Sequence, residues 1–215
     1  MNPQTCPKKN RQDVITQDAL DSLAQSAMRL GASAAKIISS ADIVVEKGLA
    51  DLCGGDPRCE AYGLAPSCPP HVAGPDGFRK WQNKSSYSIV VRIDVPTAAM
   101  FSDERREIMQ LLHEIVAGVE EKASAMGQTA TKAFAGGSCK SIFCRDHTTC
   151  RVLSKEGECR NPQFARPSMS GFGINVSKLM HSCGWLLEKA TRTHASDEES
   201  MTWVAGLIMI ANGEG

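Results

Sequence analysis

The sequence has no excess charge of either sign: 24 lysines and arginines balance 24 aspartates and glutamates over 215 residues. No global field therefore draws the chain to nucleic acid or to an anionic membrane. Aromatic residues are scarce, at 5%, which argues against a base-stacking surface. No apolar run approaches the roughly 18 residues of a transmembrane helix. The opening MNPQTCPKKNRQD also lacks the apolar stretch of a secretion signal. A cytoplasmic protein is expected, without nucleic-acid or membrane partners. Neither G-x-G-x-x-G nor a Walker sequence occurs, so no nucleotide fingerprint is present. C-x-x-C is missing too, and no histidine adjoins a cysteine as a base, which weakens the case for a redox dithiol or a catalytic thiol.

What the chain does have is cysteine, nine in all. In a reducing compartment that number points to metal ligation rather than to a disulfide framework, and an odd count leaves at least one thiol spare. Cys139, Cys144, Cys150 and Cys159 fall within 21 residues, separated by four, five and eight others. The surrounding stretch, 136–169, is polar and shows neither strand alternation nor a helical stripe, so it builds no apolar core of its own. Irregular loops beyond about 12–15 residues are uncommon in compact domains unless they are functional. Four thiolates on one inorganic centre would supply the missing constraint.

A second group, Cys53, Cys59 and Cys68, has gaps of five and eight and lies in a stretch rich in glycine and proline. The Cys68-Pro69 step turns the chain away from a bound metal, as Cys-Pro does in bacterial ferredoxins. His71 follows three residues later and is either a ligand or an ordinary loop histidine. Structural zinc sites pair their ligands in C-x2–4-C knuckles. The longer spacings here suit a larger centre, so an iron–sulfur cluster, [4Fe-4S], is expected, one or two per chain, with zinc as the alternative. Arg145, Arg151, Arg160 and Arg166 accompany the second group. Arg160 and Arg166 are assigned to the cofactor site in a structural or electrostatic role, and Arg145 and Arg151 are left open.

Around these loops the pattern is α/β, with α+β possible. Residues 1–13 read as disordered, and 14–215 as a single metal-binding domain. Leu20, Leu23, Ala24 and Ala27 mark a helix over 16–30, with Thr16 as its cap and Gly31 as its stop. A second helix, 103–126, carries Ile108, Leu111, Leu112, Ile115, Val116 and Val119 at a 3.6-residue period, with its charged face read as plain solvated surface. A short helix is expected near 76–84, and Asn175 may cap another that runs through Leu187. Strands are expected near 36–45, 87–95, 129–134 and 203–211, in a mixed sheet with packed helices and the cysteine loops 53–71 and 136–169 at its edge. The unit 87–95, 103–126, 129–134 reads as strand–helix–strand with parallel strands. The connection 191–200 is polar.

Two motifs resemble a prokaryotic family of predicted metal-binding proteins, domain of unknown function 2284. The first is Cys53…Cys59-x2-Tyr62-Gly63…Cys68-Pro69-Pro70-His71. The second is Gly136-Gly137-Ser138-Cys139…Cys159-Arg160-x-Pro162-x2-Ala165-Arg166-Pro167-Ser168-Met169…Gly173-Ile174-Asn175-Val176. The resemblance spans about residues 14–212 and implies metal ligands at Cys53, Cys59, Cys68, Cys139, Cys144, Cys150 and Cys159. The interval from Cys139 to Cys150 is wider than the family's usual spacing, which sets Cys144 apart. The family is common in anaerobes. The expected function is one-electron transfer to or from a partner redox enzyme or metalloenzyme. The alternatives are a non-redox metal protein whose ion staples a partner-binding surface, and an enzyme using an open-site cluster. The first loop offers three thiols, so His71, Cys183 or Cys6 could complete it. Cys183, set in a helix, reads first as a buried inert thiol.

Overall fold

The computed structural model describes residues 15–185 and 200–211. The segment 1–13 with Cys6, Leu187 and nearly all of the polar connection 191–200 lie outside the described residues. The elements run α1 (Gln17–Arg29), β1 (Ala34–Ser39), α2 (Lys47–Asp51), α3 (Gly74–Gln82), β2 (Ser85–Pro96), α4 (Thr97–Met100), α5 (Arg105–Ala125), β3 (Lys132–Phe134), α6 (Cys139–Phe143), α7 (Val176–Ser182) and β4 (Met201–Ala211). Helix α1 begins as its sequence suggests, with the Thr16 hydroxyl accepting from the Ala19 amide, and α7 is capped by the Asn175 side chain.

The four strands form one sheet in the order β1-β2-β4-β3. The α/β reading holds, but every pairing is antiparallel where a mixed sheet was expected. Strands β2 and β3 do point the same way, since each runs antiparallel to β4, yet they are not neighbours. The chain's most apolar strand takes the place between them. Residues 204–211 are all buried, and only a central position covers such a strand on both faces. Two expected strands are also shorter than their apolar stretches. Past Ser39 the chain enters a tight turn held by the Ser39 hydroxyl, so Val45 makes only an isolated bridge to Ile174. Before Lys132 a turn closes from Gln128 to Thr131.

Helices cover both faces of the sheet. On one side α1 and α5 bury Leu20, Leu23, Leu112, Ile115 and Val116 against Ile89, Val91, Val204 and Ile208. On the other, Phe78 of α3, Phe172, Leu179 and Met180 of α7 meet Val90, Phe134, Leu207 and Met209. Odd and even residues of β4 thus serve different cores, as the strand period of two requires. The second core has an aromatic centre. Phe134 lies edge-on to Phe78 at 5.3 Å and to Phe172 at 5.1 Å, with Trp81 at 5.7 Å. Each such pair adds about 0.5–1.5 kcal/mol beyond the area it buries, and together they fasten α3 and residues 169–172 to the edge strand β3.

Helix α5 comes so close to β4 that position 206 tolerates no side chain. A Cβ on Gly206 would lie 2.5 Å from Val116 Cγ1 and 3.2 Å from the Phe134 carbonyl oxygen. Gly206→Ala is therefore expected to destabilise the fold by about 1–3 kcal/mol, the usual cost of overpacking. Urea denaturation checks this, and an unchanged midpoint would mean that α5 does not press on β4 this closely.

Candidate metal centre

Both cysteine loops gather at the β3 edge of the sheet. The second leaves β3 through Ala135 and returns through Ser168, which forms a parallel bridge to Ala135. The Ala135 amide donates to the Pro167 carbonyl at 2.9 Å, and the Met169 amide donates to the Ala135 carbonyl at 2.9 Å. The first loop joins the outer side of this segment, because the Ser168 amide donates to the Ser67 carbonyl at 3.1 Å. The hydrogen-bond pattern of the sheet thus continues outward, from β3 to 167–169 to Ser67, and sets one loop against the other.

A stripe along α5 holds the second loop from beneath. Arg106, His113 and Glu120 are seven residues apart, two helical turns, and so share one face. The Arg106 side chain donates to the Ile142 carbonyl at 2.9 Å. His113 lies within 3.1 Å of the Gly136 carbonyl through Nε2, and its Nδ1 accepts from the Arg166 amide at 3.1 Å. Its Nδ1 also lies 3.3 Å from the Phe164 carbonyl, so the ring meets three backbone groups at the two ends of the loop. Glu120 accepts from the Ala133 amide at 2.7 Å and from the Arg166 guanidinium at 2.5 Å. The charged face of this helix is therefore not plain solvated surface, as its sequence suggested. Three of its polar residues tie down both ends of the cysteine loop, and the seven-residue spacing was the signal available in the sequence.

Cys139, Cys144, Cys150 and Cys159 all line one cavity of about 410 Å3. Val72, Trp81 and Phe172 form its apolar wall, and Lys140, Arg151 and Arg160 stand on its rim. Burial pushes the Cys139 thiol up to about 11, and the nearby Cys159, Cys68 and Cys150 thiols act in the same direction. A hydrogen bond from the Ser67 hydroxyl, at 3.1 Å, opposes them. Asn161 serves two other sulfurs, its amide donating to Cys159 at 3.4 Å and its side-chain nitrogen to Cys144 at 3.5 Å. Lys140 closes the turn after α6 by donating to the carbonyls of Cys144 and His147.

The first loop forms a smaller, more open group. Burial raises the Cys53 thiol, and Cys59 and Cys68 raise it further, which brings the three together. Cys68 is buried and Cys59 exposed. Tyr62 packs over Gly54, with the Arg58 guanidinium 5.2 Å above its ring. Among the described residues, no three His, Cys, Asp or Glu side chains sit close enough together to hold a single ion. Donors made wholly of thiols suit iron–sulfur or zinc chemistry rather than magnesium or calcium.

A family model described as predicted metal-binding protein, domain of unknown function 2284, matches residues 36–210. The chain belongs to this family. The matched span contains both cysteine loops and leaves out Cys6. No curated protein and no solved structure matches the chain. Among the described residues, no helix is long and apolar enough to cross a membrane.

The structure sorts the remaining candidates for this family member's site. Cys144 faces the same cavity as its three companions despite its unusual spacing. His71 lies 3.3 Å from the Gly63 carbonyl through Nε2 and lines the cavity of the second loop. Cys183 is buried in the core on the α7 side of the sheet, where burial pushes its thiol to about 11 beside Lys36 and Arg92. Arg160 reaches the cavity, whereas Arg166 commits its guanidinium to Glu120 and to the carbonyls of Pro162 and Ala165, in keeping with the structural side of its expected role. Arg145 is exposed, and Arg151 lines the cavity while its guanidinium donates to the Glu156 carbonyl. Ser67 and Asn161, which donate to sulfur, and Lys140, which donates to the Cys144 and His147 carbonyls, were missed, since no cysteine spacing reveals such donors.

His113 generates a testable pH dependence. Burial, chiefly, and the Arg166 charge lower it from its ordinary value of 6.5. The unfolded chain therefore takes up a proton near pH 6.5 that the folded chain resists. Its stabilising effect is full above that pH and is lost as the pH falls through the window between 6.5 and the lower folded value. In His113→Phe this part of the pH dependence should vanish. The variant should also lose about 1–3 kcal/mol, because the Gly136 carbonyl and the Arg166 amide are left unpaired. Denaturant titrations on both proteins between about pH 5 and 8, the span where histidine titrates, check it; parallel profiles would remove His113 from this role.

Proposed function

We propose that the chain is an iron–sulfur protein that exchanges single electrons with a partner enzyme. The observation that carries this reading is the placing of Cys139, Cys144, Cys150 and Cys159 around one cavity. Four thiols set around a void suit a centre of several atoms. These four residues would hold a four-iron, four-sulfide cluster, and Cys53, Cys59 and Cys68 would hold a second centre at the surface. Such a cluster, when bound, supplies a reversible one-electron couple.

The residues around the cavity fit that task. Lys140, Arg151 and Arg160 offset the negative charge of several thiolates. Asn161 donates hydrogen bonds to two of the ligand sulfurs and fixes their orientation. Val72, Trp81 and Phe172 keep water from one side of the site, which lowers the local dielectric. Among the described residues, Cys183 lies deep in the core, and His71, bonded to the Gly63 carbonyl, borders the cavity of the second loop; this supports a first-loop centre short of one protein ligand, with water or a small molecule in the open position.

Protein purified without oxygen is expected to be brown, to absorb broadly near about 400 nm, and to carry about four irons and four sulfides for each four-iron cluster. Reduction followed by EPR should show a reversible one-electron signal. Stoichiometric zinc without sulfide would reject the reading and leave a metal that only staples the two loops.

A further inference from the structure

We propose that Ser67 is a positioning residue of the second-loop centre: its hydroxyl, held by the first loop, sets the donor strength of the Cys139 sulfur and with it the reduction potential. This inference rests on the iron–sulfur reading above and adds a coupling between the two cysteine loops.

Three observations carry it. The Ser67 Oγ lies 3.1 Å from Cys139 Sγ and 3.9 Å from Cys68 Sγ. A hydroxyl has one proton to give, and the nearer sulfur receives it. Next, both groups are largely buried, Ser67 at 8% exposure and Cys139 at 9%. In such surroundings a hydrogen bond is electrostatically stronger than at the surface. Last, the backbone that carries the Ser67 hydroxyl is held in place, because its carbonyl accepts the Ser168 amide in the backbone ladder that extends from β3.

Its origin in the other loop distinguishes this donor. Cys144 and Cys159 receive their hydrogen bonds from Asn161, inside the second loop. Cys139 receives its own from a residue that directly precedes Cys68, a thiol of the first loop. A donor to a ligand sulfur stabilises the more negative, reduced form and raises the potential. Whatever orders the first loop around Cys68 therefore also fixes the proton that adjusts the second centre.

The test compares wild type, Ser67→Ala and Ser67→Thr, each loaded anaerobically with iron and sulfide and titrated with dithionite while EPR follows the second-loop centre. Ser67→Ala should retain its metal and become harder to reduce by about tenfold in the one-electron equilibrium, a fall of about 59 mV. Ser67→Thr, which keeps the hydroxyl, should return toward wild type. An unchanged potential in Ser67→Ala overturns the proposal, and so does equal loss of metal from both variants, since Ser67 would then be only structural. If wild type shows no reducible centre, the iron–sulfur reading fails separately. The Ser67 assignment is then read on cobalt(II)-loaded protein, where the thiolate-to-cobalt charge-transfer band should move to lower energy in Ser67→Ala and return in Ser67→Thr. A band that stays in place in Ser67→Ala overturns it there as well.

Discussion

The site depends first on one buried imidazole. His113 bonds the Gly136 carbonyl with one nitrogen and the Arg166 amide with the other. These backbone groups flank the cysteine loop on its two sides, so a single side chain closes a span that has no apolar core of its own. Ordering that many residues costs about 1–2 kcal/mol each in backbone entropy alone. Arg106 and Glu120 add fastenings one heptad away in either direction. With the loop's ends secured to a rigid helix, its thiols keep their places around the cavity before any ligand arrives. A histidine that could have been taken for catalytic or metal-binding is structural here, and it serves only while neutral.

The thiols themselves are held under tension. Cys139 and Cys53 are both pushed upward by burial and by neighbouring thiols. Clustered buried thiols resist becoming thiolates, whereas metal binding demands thiolates. A bound cation reverses the balance, because its charge replaces the missing solvation and the repulsion between neighbours becomes shared ligation. The donors from Ser67 and Asn161 point at sulfur atoms rather than at one another. Cys183 makes the contrast clear. It is as strongly shifted, but it sits in the core with Lys36 and Arg92 as its charged neighbours and no other thiol among the causes of its shift.

Much of this was legible in the sequence, and the rest was hidden for physical reasons. Helical periodicity placed α1 and α5 to within a residue or two, since burial of one face imposes it directly. The uniform apolarity of β4 gave its central position. The sheet's antiparallel order was not accessible, because pairing depends on which strand arrives between two others, and no local residue encodes that choice. The cysteine spacings pointed to the loops as the place for a metal, yet they could not show that His71 borders the second loop's cavity or that Arg166 pairs with Glu120. Such orientations arise from contacts between segments far apart in the chain.

The sheet order has a consequence for how the molecule is made. Within the sheet β3 has a single partner, β4, and β4 is the last described element of the chain. During synthesis both cysteine loops leave the ribosome well before the strand that anchors their edge of the sheet. Until residues 201–211 slide in beside β2, the thiols hang from an unpaired edge, and contacts between distant segments form slowly. The nascent chain therefore exposes its cysteines at the stage when its fold protects them least.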